Sequence, residues 1–233
     1  MPNWCNNTFE LVAAKQKIKE FETFLETNNG KDWFDFFAPC PQELQDVGNV
    51  SFHEPPANQE ELIEKYGYSD WYSFGLGEWG CKWNCDANDW NVEEYDDEND
   101  VIKFWFDSPW GPPENLYQGI SDGKYGEDLA VFAEWHEEGM AFIGRWDDGF
   151  SENYEYSDLD SLDDIPEDLL ENWNIREMLE ERAEWEEEDE ELIEEDEAEE
   201  VPNAKKEDLE AALSELKKDF EELMKEQQNG KSS

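Results

Sequence analysis

Alternating apolar and polar side chains open the chain with a strand, and a helical pattern follows it. In residues 3–13 apolar side chains recur at every second position, which is typical of a strand with one buried face. In residues 14–28 the apolar positions take helical spacing, and the run Asn28-Asn29-Gly30 then ends the pattern. The first 30 residues therefore predict a strand followed by a helix.

Two hairpins and a second helix are predicted further along. Residues 91–95 and 101–107 alternate on either side of the acidic sequence DDEND, which predicts two strands and a turn. Two prolines at 112 and 113 favour the start of a helix that runs to about residue 121. Residues 129–136 and 140–146 predict a second hairpin around the sequence EEG.

The stretch between the first helix and the first hairpin has weaker patterns. The aromatic run at 33–37 reaches two prolines, which predicts a loop or a short edge strand. Residues 60–67 predict a turn or two of helix, and residues 71–89 favour no single element. With this insert set aside, the order is the split βαβ pattern. We therefore predict an α+β, ferredoxin-like antiparallel sheet with helices on one face.

Acidic residues dominate the chain after about residue 150, and they divide it into three parts. Residues 1–150, the predicted ferredoxin-like domain, hold 32 acidic and 9 basic residues. Residues 151–203 hold 25 acidic and 2 basic residues in a segment predicted to be partly helical or disordered, because like charges at i,i+4 oppose a helix. Residues 204–233 predict an amphipathic helix, so the extension is expected to be largely helical.

The last predicted helix has an apolar stripe that is too short to be stable alone. We expect it to fold back or to form a homodimer. Five residues at 4-3-4-3 spacing form the stripe: Leu209, Leu213, Leu216, Phe220 and Leu223.

Composition restricts the class of protein. The net charge is −48 over 233 residues, yet aromatic residues make up 15% and supply material for a core. No stretch approaches the ~20 apolar residues of a membrane span, and the N-terminus does not resemble a signal peptide. We therefore expect a cytoplasmic protein that does not bind a membrane, whose four cysteines are free thiols.

The sequence EWGCKWNC raises the question of a metal or redox site at Cys81 and Cys85. Zinc would need two more ligands, and the remaining Cys and His residues form no second close pair. A redox pair would favour an electropositive setting, which this acidic chain lacks. The simplest interpretation is two small buried apolar residues, so we predict no metal and no cofactor.

No pattern of catalytic residues stands out. The two histidines are isolated, and carboxylates are so frequent that no pair can be singled out. Direct nucleic-acid binding is also disfavoured, because phosphate recognition requires basic groups. We therefore expect a protein that is not an enzyme.

The acidity itself has two interpretations. It can be a solvated linker, which is common and unspecific. Alternatively, the acidic segment can mimic the phosphates of DNA. If residues 151–203 formed one helix, it would be ~80 Å long. Its net negative charges would then lie ~3.5 Å apart, close to the ~3.4 Å between the phosphate charges of one DNA strand. Such a surface would attract a DNA-binding groove at a high rate.

Four ordered stretches resemble the YubB-type ferredoxin-like family of phage- and plasmid-encoded proteins. They are MPNWCNNTFEL, EWGCKWNC, FWFDSPWGPPENLYQGIS and AVFAEWHEEGMAFIGRW, and the match runs from Pro2 to about Trp146. The chain departs from the family pattern at Glu78, Cys81 and Cys85, and within residues 135–139. The resemblance implies a ferredoxin-like fold and a mobile-element origin, and it supplies no catalytic residues.

The same resemblance places the tryptophans of EWGCKWNC in an aromatic wall. Trp79 and Trp83 are expected to pack beside Trp4 and Trp110, with the cysteines as fillers. The acidic zone lies outside the matched stretch, which suggests that it is this protein's own functional addition.

These observations together predict an acidic phage or mobile-element protein that inhibits a host DNA-binding or defence protein by DNA mimicry. The partner would be a DNA-binding protein or a defence nuclease. The alternative is an interaction module whose ferredoxin-like domain docks a partner, with the acidic tail as a solubilising spacer. The predicted contact residues are Glu186, Glu187, Glu188, Asp189, Glu190, Glu191, Glu194, Glu195, Asp196 and Glu197, assisted by Asp96, Asp97, Glu98 and Asp100.

Overall fold

A computed structural model of the protein describes residues 2–47 and 58–185. Within them lie six strands: β1 (Trp4–Ala14), β2 (Asn88–Glu94), β3 (Asn99–Pro109), β4 (Ala130–Glu137), β5 (Phe142–Asp147) and β6 (Phe150–Glu155). The same described residues contain the α-helices α1 (Lys15–Asn28), α2 (Gln42–Gln45), α3 (Gln59–Tyr66), α4 (Trp71–Phe74), α5 (Glu114–Ser121) and α6 (Glu167–Asn172).

The six strands form one antiparallel sheet in the order β2-β3-β1-β4-β5-β6. The long central strand β1 pairs with β3 along its whole length and with β4 on its other side. The α+β class with an antiparallel sheet, predicted from the hydrophobic pattern, is therefore confirmed. The two hairpins and the helices after β1 and β3 are also confirmed.

One face of the sheet is covered by α1 and α5, and the main core lies there. Alternate residues of β1, including Phe9 and Leu11, are fully buried on this face. Trp33 lies at the centre of the core, with its ring centroid 4.7 Å from Phe9 and 5.1 Å from Phe104. Trp33 begins a 3-10 turn (Trp33–Phe36), so of the two alternatives predicted here, a loop or a short edge strand, the edge strand does not form. Turning the chain here directs the rings of Trp33 and Phe34 into the core.

The opposite face of the sheet is partly covered by the chain that follows β6. Tyr156 and Trp173 both pack against His136 of β4, and the Tyr156 hydroxyl lies 2.6 Å from His136 Nε2. Arg145 of β5 pairs with Glu152 of β6 at 2.6 Å and with Asp168 of α6 at 3.0 Å. Residues 150–173 are thus an ordered layer, although their hydrophobic pattern predicts no clear element.

The first compact unit of the chain ends at Arg176, and the second begins at Glu177. The boundary predicted at residue 150 coincides with the first residue of β6. Because β6, a 3-10 turn (Leu159–Leu162) and α6 occupy residues 150–172, a single helix over 151–203 does not form. The spacing of ~3.5 Å between charges, which requires that single helix, therefore does not apply. Residues 177–203 still hold 16 acidic residues and one basic residue.

Candidate partner-binding surfaces

Only some of the four acidic residues predicted as contacts in the turn between β2 and β3 are available to a partner. The carboxylate of Asp96 accepts hydrogen bonds from the backbone N–H of Glu98 and of Asn99, both at 2.8 Å. The Asn99 side-chain amide also donates to this carboxylate and contributes most to lowering the pKa of Asp96, with the two backbone bonds acting in the same direction. Together these bonds close the turn. Asp100 lies 3.9 Å from Lys15 Nζ. Asp97 and Glu98 are exposed, and neither forms an ion pair with a described residue. Of the four predicted contact residues in this turn, these two are therefore the most accessible to a partner.

The remaining predicted contacts lie outside the described residues. These are the ten acidic residues from Glu186 to Glu197 and the apolar stripe from Leu209 to Leu223. In the second unit, residues 177–185 are helical.

Exposed tryptophans lie on the sheet face opposite α1 and α5, in the part of that face that α6 does not cover. Trp4 of β1 is 48% exposed, Trp105 of β3 is 45% exposed, and the nearby Trp110 is 49% exposed. Trp105 Nε1 donates to the Asp89 carboxylate at 3.2 Å, and Asn6 donates to Asp107 at 2.6 Å on the same face. This surface combines large apolar rings with carboxylates.

The expected aromatic wall is present in part. Trp83 packs edge-on against Trp4 with ring centroids 6.3 Å apart, as predicted. Trp79 instead turns inward and packs against Phe34 and Phe74, with ring centroids 5.5 and 5.3 Å away. Trp110 stacks on no described aromatic ring, so its predicted place in the wall is wrong.

The thiols of Cys81 and Cys85 are buried and share one acceptor. Each donates to the backbone carbonyl of Trp83, at 3.5 Å from Cys81 and 3.8 Å from Cys85. Burial raises the pKa of the Cys85 thiol well above its ordinary value, so the neutral form is favoured. Within the described part of the chain, no cluster of three or more Cys, His, Asp or Glu residues has metal-binding geometry. This loop geometry suits packing rather than thiolate chemistry.

A cavity of about 350 Å³ opens beside the same loop. Three indoles, Trp71, Trp79 and Trp83, form its walls together with the carboxylates of Asp32 and Asp35. Burial raises the pKa of Asp35 to about 6, and the neighbouring charge of Asp32 acts in the same direction. The remaining lining residues are Cys40, Gln45 and Asn84.

The walls of this cavity are held by hydrogen bonds between two loops. Asn84 Nδ2 donates to Asp35 Oδ1 at 2.9 Å, and Asn84 Oδ1 accepts from the backbone N–H of Phe34 at 3.0 Å. Trp79 Nε1 donates to the carbonyl of Ala38 at 2.9 Å, which fixes its ring. The cavity is therefore preformed.

A larger groove of about 740 Å³ lies on the opposite face, between the sheet and α6. Both carboxylate oxygens of Glu134 lie 3.1 Å from Asn172 Nδ2, and burial raises the pKa of Glu134. The guanidinium of Arg145 at its edge is already paired with Glu152 and Asp168. The groove offers carboxylate and amide oxygens, which suit a polar ligand.

The sequence held a signal for one of these surfaces. In KFWFD, Trp105 alternates with Phe104 and Phe106, and its neighbours on its own side are Lys103 and Asp107. The charged neighbours indicate that Trp105 faces solvent. The cavity at Asp35 had no such signal, because its residues come from two separate stretches of the chain, 32–45 and 71–84.

Comparisons with known proteins add little. No protein-family model matches the sequence, and no curated protein matches it. Among solved structures, the chain is similar to the crystal structure of a protein api92 from Yersinia pseudotuberculosis, with the family model DUF1281. The TM-score is 0.34 and the identity 10%, over 67% of this chain and 99% of that chain. A likeness this weak carries no argument, so the resemblance to the YubB-type family stays a prediction.

The described helices do not meet the requirements of a membrane span. None of them combines the length and the apolar character needed to cross a bilayer.

Proposed function

We propose that this protein is a non-enzymatic inhibitor that binds a basic, DNA-binding host protein and competes with its DNA. The observation that carries the proposal is the segregation of charge: 16 acidic residues and one basic residue follow the first compact unit in residues 177–203. A basic DNA-binding groove is the surface that such a segment attracts most strongly. The exposed carboxylates of Asp97 and Glu98 would assist.

The target class in this proposal is a restriction or other defence nuclease, or a transcription factor, in the cytoplasm of a bacterial host. We also propose the finer fold assignment, a ferredoxin-like domain of mobile-element origin. The order β2-β3-β1-β4, with helices after β1 and β3 on one face, supports that assignment. In the same proposal, the stripe from Leu209 to Leu223 dimerises or folds back.

A second candidate function has its own observation. The exposed rings of Trp4 and Trp105 line one groove together with Trp83, and they form an aromatic surface of the kind that is enriched in protein interfaces. In this alternative the domain docks its partner through the tryptophans, and the acidic segment is a solubilising spacer. The carboxylates among the rings disfavour nucleic acid as the ligand.

The test compares three full-length proteins as baits in lysate of a candidate host. The first is the wild type, and the second carries Glu→Gln and Asp→Asn at the ten acidic positions from Glu186 to Glu197. The third carries Trp4→Ser and Trp105→Thr. Captured proteins are identified by mass spectrometry, and each is then tested for displacement of a labelled DNA duplex.

Mimicry predicts a DNA-binding partner that the wild type and the tryptophan variant both capture. The ten-substitution variant should lose it, and raising the salt from about 50 to about 300 mM should weaken capture steeply. If only the tryptophan variant loses the partner, and if capture by the wild type depends little on salt, docking through the aromatic surface is favoured. A partner that the ten-substitution variant still separates from its DNA would overturn mimicry.

A further inference from the structure

We propose that the cavity between Trp71, Trp79, Trp83, Asp32 and Asp35 binds the guanidinium group of an arginine side chain. The inference rests on the proposed function for the source of that arginine, which would be a basic protein partner. The cavity itself is a feature of the described domain and can be tested without the partner.

The lining chemistry fits a flat cation. Trp71 and Trp83 are half-buried, and an indole ring attracts a cation over its face and stacks well on a planar guanidinium. Trp79 is only 4% exposed and is already packed against Phe34 and Phe74. Asp35 and Asp32 add two carboxylates, which a guanidinium can engage through its fork of N–H donors. Among the residues that line the cavity there is no lysine or arginine, so its negative charge is not neutralised from within.

One of these rings already attracts a cation. Lys82 Nζ lies 5.0 Å from the centroid of Trp83. Lys82 is not among the residues that line the cavity. The walls are also preformed, because Asn84 and the Trp79 indole hold them by hydrogen bonds. A ligand would therefore bind without ordering the loops first.

The charged state of Asp35 supports the same assignment. Its carboxyl is half-buried beside Asp32, and the pKa of about 6 reflects that unfavourable setting. The third titratable group in the cavity is Cys40, whose pKa burial raises to about 11, so it stays neutral. A bound cation would compensate the two carboxylates. Binding should therefore weaken as the pH falls through about 6 and Asp35 takes up a proton.

The probe is N-acetyl-arginine amide, titrated into the full-length protein and followed through the tryptophan indole N–H signals by NMR. Trp→Phe variants assign the signals of Trp71, Trp79 and Trp83. We expect the signals of the half-buried Trp71 and Trp83 to move together and to saturate at millimolar probe. In Asp35→Asn the affinity should fall about tenfold or more, as expected for loss of one charge-assisted bond. Asp164→Asn, an exposed acid outside the cavity, is the matched control and should bind like the wild type.

Several outcomes would overturn the assignment. The first is no shift of the Trp71 and Trp83 signals, and the second is an unchanged affinity in Asp35→Asn. The third is equal binding of the uncharged N-acetyl-citrulline amide. Agmatine or tetramethylammonium binding at least about tenfold more tightly than the arginine amide would indicate a small-molecule amine site instead of a partner's side chain.

This titration and the capture experiment fail independently. If the arginine amide binds but the ten-substitution variant keeps its partner, the cavity assignment stands and DNA mimicry does not. If the amide does not bind and the ten-substitution variant loses its partner, mimicry stands without this contact.

Discussion

Asn84 holds Asp35 and the backbone of the facing loop at once. Its Nδ2 donates to Asp35 Oδ1 at 2.9 Å, while its Oδ1 accepts from the N–H groups of Phe34 and Cys85 at 3.0 and 2.9 Å. One side chain therefore joins the loop after α1 to the EWGCKWNC loop, and both border the proposed cation cavity.

Replacing Asn84 by alanine should destabilise the fold. The change leaves the two backbone N–H groups without their acceptor, which costs about 1–3 kcal/mol in the free energy of unfolding. Urea unfolding followed by far-UV circular dichroism measures it. Asn91→Ala, on the exposed edge strand β2, is the control and should change stability by no more than about 0.5 kcal/mol. Equal effects of the two variants would contradict the role assigned to Asn84.

Asp35→Asn should stabilise the protein at neutral pH, although it weakens the proposed cation site. In the folded protein the pKa of Asp35 is raised from 3.8 to about 6, so the folded state holds this proton more tightly than the unfolded state. The wild type therefore loses stability as the pH rises from about 4 to about 6. The variant lacks this loss and should be more stable at pH 7.5 by about 1–2 kcal/mol, less than the full shift implies, because the carboxyl is partly solvated.

Thermal unfolding of wild type and Asp35→Asn at pH 4 and pH 7.5 tests that expectation. The advantage of the variant should be much smaller at pH 4 than at pH 7.5. An advantage that does not change between the two pH values would show that proton binding by Asp35 is not its cause.

His136 should titrate below its ordinary range. Burial lowers the pKa of His136 from 6.5, although Glu138 and Glu137 oppose the shift. Because the folded state disfavours the charged ring, this histidine's contribution to stability is present above pH 6.5 and is lost as the pH falls through the lower folded pKa. An NMR titration of the imidazole Hε1 signal measures it, with the same signal in urea as the reference. A folded value at or above the value in urea would contradict burial of the ring under Tyr156 and Trp173.

A chain ending at residue 150 should fold poorly. It lacks β6 and α6, so β5 becomes an open edge and Trp135 Nε1 loses its acceptor, Asn153 Oδ1, at 3.0 Å. We expect aggregation in size-exclusion chromatography and a melting temperature lower by roughly 10 °C or more, which corresponds to a loss of several kcal/mol in a domain of this size. The control is a chain ending at Trp185, which should stay soluble and keep the wild-type transition. A stable, soluble chain of 150 residues would contradict the layer formed by residues 150–173.

The hydrophobic pattern was enough to predict the central sheet. Strands β1 and β3 alternate along their middle parts, because one face is packed by helices and the other is more exposed. The pattern failed at β6, whose residues are exposed or half-buried on both faces at the edge of the sheet. At Trp33 the pattern left a loop or an edge strand open, and the aromatic run forms a 3-10 turn.

The candidate sites were harder to predict than the sheet. The acidic turn was visible in the sequence as DDEND, but only the structure separates Asp96, which closes the turn, from the freer Asp97 and Glu98. The cation cavity depends on long-range pairing of two loops, such as the hydrogen bond from Trp33 N–H to the Cys85 carbonyl at 3.0 Å. Spacing along the chain carries no information about such a pairing.

Both edges of the sheet carry negative charge. The edge strand β2 holds Asp89, Glu93 and Glu94, and the edge strand β6 holds Glu152 and Glu155, with no lysine or arginine in either strand. Neighbouring elements supply Lys103, Lys15 and Arg145 as ion-pair partners of Glu93, Glu94 and Glu152, so within the described residues only Asp89 and Glu155 of this set lack an ion pair. An edge strand of one copy that approached another copy would meet like charge before any backbone hydrogen bond formed. This charge is therefore expected to disfavour pairing between the edge strands of separate copies of the chain.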